Sequence, residues 1–558
     1  MEVFEGNPVG KWVWFNMWKL PLFQRGEQGT PIKFGDTAHI FRTNIEQIYG
    51  GEPSIDGCQI AEGDVTEDMG ETVHLGLFKY FNRVGTTYKL CFGPKSFLVI
   101  SDPISARHIL RDASVKYDKG MLAELLEPIM GKGLIPADPE TWKVRRRAIV
   151  PAFHKAWLDH MVDLFNECNM NLVSQLDHFS KTGESIDMEE KFCSVSLDII
   201  GKSVFNYDFG SVTKESPIVK SVYTLLKEVE HRSQIPFPYW DIPGAGLVVP
   251  RLRRFNKDLK MLNDVLDELV KQAMESKDET DLEELQARNY ANVKDPSLLR
   301  FLVDMRGEDA TGKQLRDDLM TMLIAGHETT ASVLTWVLFE LAQQPELMKK
   351  VQKEIDEVVG DRQPTLEDIK KLEMVRLCIA ESLRHYPEPP LLIRRALNDD
   401  QLPSSGSGLD VTVLRGMDLF ISVYNIHHNP DFWEEPFKWD PERFLRPHSN
   451  PGIKDWAGYD PVAAKNLLYP NEVVSDFAFL PFGGGARKCV GDQFALMESV
   501  CTLALVLRRF EFEFDAPPET VGQATGATIH TKNGLNMFVK KRQVPVPQKE
   551  AEEELHLV

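Results

Sequence analysis

The stretch Phe482-Gly483-Gly484-Gly485-Ala486-Arg487-Lys488-Cys489-Val490-Gly491 runs directly into an apolar helical pattern carried by Phe494, Ala495, Leu496 and Val500. Consecutive glycines let a backbone turn tightly and approach a flat ligand closely. The cysteine falls where a helix begins, and free amides and the helix dipole there favour a thiolate. Arg487 adds a fixed positive charge beside it, suited to a carboxylate on the ligand. The competing reading, a glycine-rich phosphate loop with a bystander cysteine, fails on detail. Neither G-x-x-x-x-G-K-[ST] nor G-x-G-x-x-G after a strand is present. An axial Cys489 thiolate beneath a haem iron, with Arg487 on a propionate, accounts for the whole stretch. Such a ligand donates electron density to iron and favours O–O cleavage.

Upstream, the pattern predicts a helix from about Lys313 to Gln344, about 45 Å long at 1.5 Å per residue. Leu319, Met320, Leu323, Ile324, Val333, Leu334, Trp336, Val337 and Leu338 make it apolar nearly all round, as in a helix buried through a large protein. Yet Gly326, His327, Glu328, Thr329 and Thr330 sit at its midpoint, where glycine and threonine weaken a helix and a buried charge is costly. Local rules broken at one place on a core helix mark a site. Reductive splitting of dioxygen consumes protons in a dry pocket; a Thr329 hydroxyl can hydrogen-bond the oxygen and a Glu328 carboxylate can relay protons. Gly326 is expected to leave room for the oxygen. A zinc motif H-E-x-x-H is excluded because Ala331 occupies its last position. A salt-bridged core role for Glu328 is the plainer alternative.

Further matches lie along the chain: Glu381-Ser382-Leu383-Arg384, Pro441-Glu442-Arg443-Phe444, Trp142-Lys143-Val144-Arg145-Arg146, and Ala325 to Thr330. Together with the cysteine loop they resemble the cytochrome P-450 family, whose signatures are F-x-x-G-x-R-x-C-x-G, E-x-x-R, P-E-R-F, W-x-x-x-R and [AG]-G-x-[DE]-T-[TS]. The resemblance runs from about residue 76 to 543. It implies a haem-thiolate monooxygenase with haem b, Cys489 as iron ligand, Phe482 beside the ring, and Trp142, Arg146, Arg487 and Arg394 toward the propionates. Arg395, next to Arg394, competes for the last of these roles. Glu381, Arg384 and Arg443 are implied as a buried structural cluster, since a buried charge needs partners. The implied fold is mainly α with small β-sheets (α+β), one large domain whose long central helix crosses the haem.

Within that family the chain is similar to the plastid carotenoid-ring hydroxylases. The likeness rests on Leu134-Ile135-Pro136-Ala137-Asp138, the run Arg145 to Pro151, the run Lys313 to Thr330, and Gly526-Ala527-Thr528-Ile529-His530-Thr531; the insert Asp455-Trp456-Ala457-Gly458-Tyr459-Asp460-Pro461 matches one subgroup. It implies O2-dependent hydroxylation of a carotenoid end ring, in a chloroplast, with an apolar substrate drawn from a membrane. A fatty acid or terpenoid is the alternative substrate. A peroxide isomerase or dehydratase, or a haem gas sensor, is the alternative class, but those need no acid–alcohol pair. Electrons are expected from a separate protein, ferredoxin above all. Lys488, Arg145, Arg147, Arg508 and Arg509 are read as a basic patch complementary to such a donor.

The remaining features set bounds. A net charge of −20 argues against nucleic acid as a partner. Seven irregularly spaced cysteines form neither a disulfide framework nor a C-x-x-C site. No run of 18 or more apolar residues would span a membrane, and neither a secretory signal nor a transit peptide is visible. Residues 1–75 read as an N-terminal extension in which Trp12, Trp14, Phe15, Trp18, Leu20, Leu22 and Phe23 either contact a membrane surface or pack on the core, the latter favoured by Pro21. Residues 76–543 read as the catalytic domain, with strand-like pattern from about Gly76 to Ser101, and 544–558 as a disordered acidic tail.

Overall fold

The computed structural model describes residues 12–13, 16–50, 57–63, 72–92, 95–214, 217–234, 238–275, 295–306 and 312–543. Six helices frame the site: α1 (Lys155–Thr182), α2 (Met188–Phe205), α3 (Pro217–Gln234), α4 (Gly312–Gln343), α5 (Glu373–His385) and α6 (Asp492–Leu507). The longest, α4, buries residues on every side, including Leu319, Leu323, Leu334, Trp336 and Leu338, as its all-round apolar pattern requires. Trp336 stacks on Tyr386 just beyond α5, with ring centroids 4.2 Å apart. One continuous apolar core joins α1, α2, α4, α5 and α6.

The strands are short and gather to one side. β1 (Thr87–Phe92) and β2 (Lys95–Ile100) pair antiparallel; β8 (Asp418–Ser422) joins β2 in parallel, followed by β5 (Leu391–Ala396) and β3 (Tyr117–Asp118). β4 (Ile186–Asp187), β12 (Asn536–Lys541) and β9 (Phe510–Phe514) form a second sheet, and two hairpins pair β6 (Asp400–Gln401) with β7 (Thr412–Val413) and β10 (Gln523–Thr525) with β11 (Ile529–Thr531). The fold is therefore α+β with helices dominant. Strand structure does not begin at Gly76: Val73–Val84 is a helix that buries His74, Leu77 and Tyr80 at helical spacing, and strands start only at Thr87.

Two buried ion clusters tie distant segments together. Arg384 on α5 grips Glu381 one turn earlier through two bonds of 2.8 Å, and Arg443 adds a third at 2.9 Å. The arginines' other donors reach carbonyls of His427, Pro436, Glu434 and Lys438, so each buried charge is satisfied. The cluster has the structural role its motif implies. Near the N-terminus, Asp36 meets Arg415 at 3.3 Å with both side chains fully buried, and Arg415 also donates to the carbonyls of Thr30, Pro31 and Leu397.

The described residues of the apolar N-terminal cluster do not enter the core. Trp12, Leu20 and Leu22 are exposed, whereas Trp18 and Phe23 cover one another edge to face at 5.4 Å. Trp14, Phe15, the tail 544–558 and most of the run Ser276 to Asp295, whose Asp278, Glu279, Asp281, Glu283 and Glu284 read in the sequence as a solvated loop or helix end, lie outside the described residues.

Candidate functional site: a thiolate loop below the central helix

The glycine loop is shaped by close approach. Gly485 has φ +66°, and a Cβ there would fall 1.8 Å from the carbonyl oxygen of Leu110, so only glycine fits. The chain then closes with the Cys489 amide donating to the Phe482 carbonyl at 3.0 Å, three residues before α6 begins. Of the seven cysteines, all free, Cys489 alone is exposed by surface area. Burial nevertheless dominates its environment and pushes the thiol pKa up, against the Gly491 amide and the charges of Arg146 and Lys488. Accessible surface combined with strong desolvation means the sulfur faces an internal hollow rather than bulk water. A bound metal would hold the sulfur as a thiolate against that burial. Phe482 is half-buried and packs edge to face on Tyr469 at 5.0 Å.

Around this sulfur stand several cations that, among the described residues, form no ion pair within 4 Å. Arg146 donates to the Lys488 carbonyl at 2.7 Å, tying its helix, Pro139–Ile149, to the cysteine loop. Arg487 lies over the Trp142 ring at 4.3 Å and donates to the Ala137 carbonyl. Trp142 thus supports Arg487 within this cluster. Arg394 is buried on β5 and donates to its neighbour's carbonyl, Ile393, at 2.8 Å. Because successive residues of a strand face opposite ways, Arg395 points elsewhere and is committed to Asp418 and Glu124. That separates the two arginines the sequence left competing.

Lys119, which no motif signals, joins the group: burial depresses its pKa strongly, Arg394 and Arg487 depress it further, and Cys489 opposes them. Burial likewise lowers Arg394 and Arg487 to about 10. Among the described residues, none of Lys119, Arg146, Arg394 and Arg487 makes an ion pair within 4 Å. Desolvated cations without partners are unfavourable unless an anion completes the site. A flat dianion with a thiol-seeking metal fits both the orphaned charges and the free sulfur, and haem with its two propionates has that chemistry.

On α4, Met322, Ala325 and Thr329 are half-buried on one helical face while most of their neighbours are fully buried, so this face borders a hollow too. Thr329 donates its hydroxyl to the Ala325 carbonyl at 2.8 Å. Glu328 accepts from the Thr528 hydroxyl at 3.1 Å and, among the described residues, has no cation within ion-pair distance, which removes the salt-bridged core reading. Burial raises its pKa to about 7, Glu189 and Glu230 adding to the effect and Thr528 opposing it. His327 is wholly buried, lowered to about 4 by desolvation, and hydrogen-bonded to the Leu323 carbonyl.

Two expectations are corrected. A Cβ on Gly326 would meet Ile200 Cδ1 at 2.3 Å, so this glycine permits α2 to cross α4 closely and its bare face is filled by a side chain, not left for oxygen. The basic patch also dissolves. Arg145 is buried and paired with Asp318 at 2.8 Å; Arg508 is buried against the carbonyls of Gly360 and Arg362; Lys488 pairs with Glu472 at 2.9 Å and Asp492 at 3.3 Å. Only Arg147 of the five is exposed.

An accessible cysteine sulfur among cations that form no ion pair among the described residues, together with a buried helix carrying an acid and an alcohol, suits a haem-thiolate protein. The family model described as Cytochrome P450 matches residues 65–536. The chain belongs to the cytochrome P450 family, and its cofactor is haem b. It is 56% identical over 505 residues to "Cytochrome P450 97B2, chloroplastic" of Glycine max, covering 89% of this chain and 87% of that protein. It is 45% identical over 505 residues to "Protein LUTEIN DEFICIENT 5, chloroplastic" of Arabidopsis thaliana, covering 90% and 79%. "Carotene epsilon-monooxygenase, chloroplastic", also of Arabidopsis thaliana, is 43% identical over 504 residues, covering 90% and 88%.

Proposed function

We propose that this cytochrome P450 hydroxylates an end ring of a carotenoid in the plastid. The observation that carries this reading is the near-full-length likeness to relatives named for lutein deficiency and carotene ε-monooxygenation. The stoichiometry is RH + O2 + 2 e− + 2 H+ → ROH + H2O, with electrons from a separate redox partner. The haem, when bound, supplies the reductive activation of dioxygen. Cys489 would ligate its iron, with Phe482 beside the ring. Arg146, Arg394 and Arg487, the last seated on Trp142, would hold the propionates, and Lys119 adds to that charge. Thr329, its own proton directed at Ala325, presents lone pairs to a donor in the hollow. Glu328, poised near neutral pH by burial, would replenish protons there.

A ferredoxin-class donor follows from the plastid reading. Membrane contact is supported by the exposed apolar residues Trp12, Leu20, Leu22, Leu247 and Val248.

The test begins with the reduced, carbon-monoxide-bound absorption spectrum of wild type and Cys489→Ala. A strongly red-shifted Soret band lost in the variant is the expected result; a histidine-type band in wild type defeats the ligand assignment. Turnover is then measured on carotene in lipid vesicles, with ferredoxin or a diflavin reductase as donor. Faster turnover of a fatty acid than of carotene defeats the substrate assignment, and preference for the diflavin enzyme defeats the donor assignment.

A further inference from the structure

The hairpin β10–β11 carries the stretch Gly526 to Thr531 and is held by three carboxyls from three separate elements. Thr528 donates to Glu328 Oε1 on α4 at 3.1 Å, the Ile529 amide donates to Glu388 Oε2 at 2.8 Å, and both the amide and the hydroxyl of Thr531 donate to Glu189 on α2. A serine and a tryptophan of α4 add to the grip on the middle one. Ser332 Oγ lies 2.6 Å from Glu388 Oε1 and 2.7 Å from the Ile529 carbonyl oxygen. Ser332 Oγ is within donating distance of both acceptors, Trp336 Nε1 also donates to the Ile529 carbonyl at 2.6 Å, and burial pushes the Glu388 carboxyl well above the usual range. The hairpin's inner edge is thereby locked at Ile529, next to Thr528, and Thr528 itself is buried.

This rigid mount bears on Glu328. Its Oε1 is taken by Thr528, whereas Oε2 makes no hydrogen bond among the described residues. Thr329 does not share the carboxyl, since its proton goes to Ala325. We propose that Thr528 is a positioning residue for the monooxygenase reaction: its hydroxyl pins Oε1 of Glu328 against the hairpin, leaving Oε2 to pass protons into the hollow on the Thr329 side. The inference rests on the reading of Glu328 as the proton source. Electrostatics support the geometry. The titratable groups facing Glu328 are Cys193 and Glu189 from α2, Tyr223 and Glu230 from α3 and the buried Glu388, and the Thr528 donor is what counters burial and the Glu189 and Glu230 charges. Glu328 can then both lose and regain a proton near neutral pH.

The experiment compares Thr528→Val, Thr528→Ala and Thr528→Ser in the haem-loaded enzyme with carotene and ferredoxin. Valine and alanine are expected to lower product formed per electron consumed by about tenfold, the weight of one hydrogen bond to a charged group. They are also expected to move the midpoint of the pH profile of coupling upward, because the carboxyl loses its donor. Serine restores both, and the reduced carbon monoxide spectrum stays unchanged throughout. Wild-type coupling and midpoint in valine or alanine variants that bind haem normally overturn the proposal. If Glu328→Gln is itself fully coupled, the reading of Glu328 falls and this inference with it; if Glu328→Gln is uncoupled while Thr528→Val is not, only the inference falls.

Discussion

Thr329 and Glu328 are adjacent in sequence, yet their side chains bond to different elements, one to its own helix and the other to the hairpin. Removing the Thr329 hydroxyl therefore leaves Glu328 anchored. Thr329→Ala is expected to retain haem and the red-shifted carbon monoxide band while product per electron falls by about a hundredfold, the low end for loss of a proton-transfer group, the missing electrons appearing as hydrogen peroxide. Simultaneous assay of hydroxylated product and peroxide checks this; a fully coupled alanine variant shows the hydroxyl has no part in proton delivery. At this scale the sequence was most legible where partners are close along the chain. Glu381 and Arg384 sit one helical turn apart, and Cys489 and Arg487 share one loop. It was least legible where partners are remote. Lys119 reaches Arg394 and Arg487 only through tertiary folding, and Arg145 reads as a surface charge until Asp318 comes to meet it.

Helix α4 runs from Gly312 to Gln343, within a residue at each end of the span its apolar pattern predicts. Its crossing partner was not legible, because a glycine in a helix says that something approaches closely without saying what. That something is Ile200 of α2. Gly326→Ala is expected to cost about 1–3 kcal/mol as overpacking, at the low end because the nearest atom is a side-chain terminus that can move. Ile200→Val removes the Cδ1 that the new methyl would strike, so the double variant should recover part of the loss. Denaturant midpoints of the two single variants and the pair measure the coupling, and strict additivity would place the strain elsewhere. The misread element, Val73–Val84, shows the converse limit: its aromatic and β-branched residues favour a strand locally, but tertiary burial of one helical stripe overrides them.

At the scale of the whole molecule, three buried glutamates bias stability toward acid. Burial raises Glu189 and Glu328 to about 7 and Glu498 to about 8. Glu498 on α6 is the simplest case: fully buried, it faces Ser196 of α2, yet neither of its oxygens has a hydrogen bond of good geometry. Its folded pKa lies above the 4.5 of an ordinary glutamate, so between those values the native state holds a proton the unfolded chain has released. Stability contributed by that proton is complete below about pH 4.5 and declines as pH rises through about 8. Glu498→Met should abolish this component, flattening the curve and raising stability above pH 8 by up to about 5 kcal/mol relative to wild type. Urea titrations from pH 5 to 9 test it, and an unchanged slope in the methionine variant would show that the carboxyl ionises without penalty.

The buried contact between Asp36 and Arg415 has a practical consequence for anyone shortening the chain to improve its handling. Trimming through Phe23 discards the exposed Trp12, Leu20 and Leu22 together with the contacts of Phe23 on Phe34 and Trp18 on Arg42, and leaves the Asp36–Arg415 pair untouched. Cutting beyond Asp36 strands a guanidinium inside the protein, where it would have lost its carboxylate along with the carbonyls of Thr30 and Pro31. The safe boundary for a minimal enzyme is therefore set by an arginine hundreds of residues downstream of the cut.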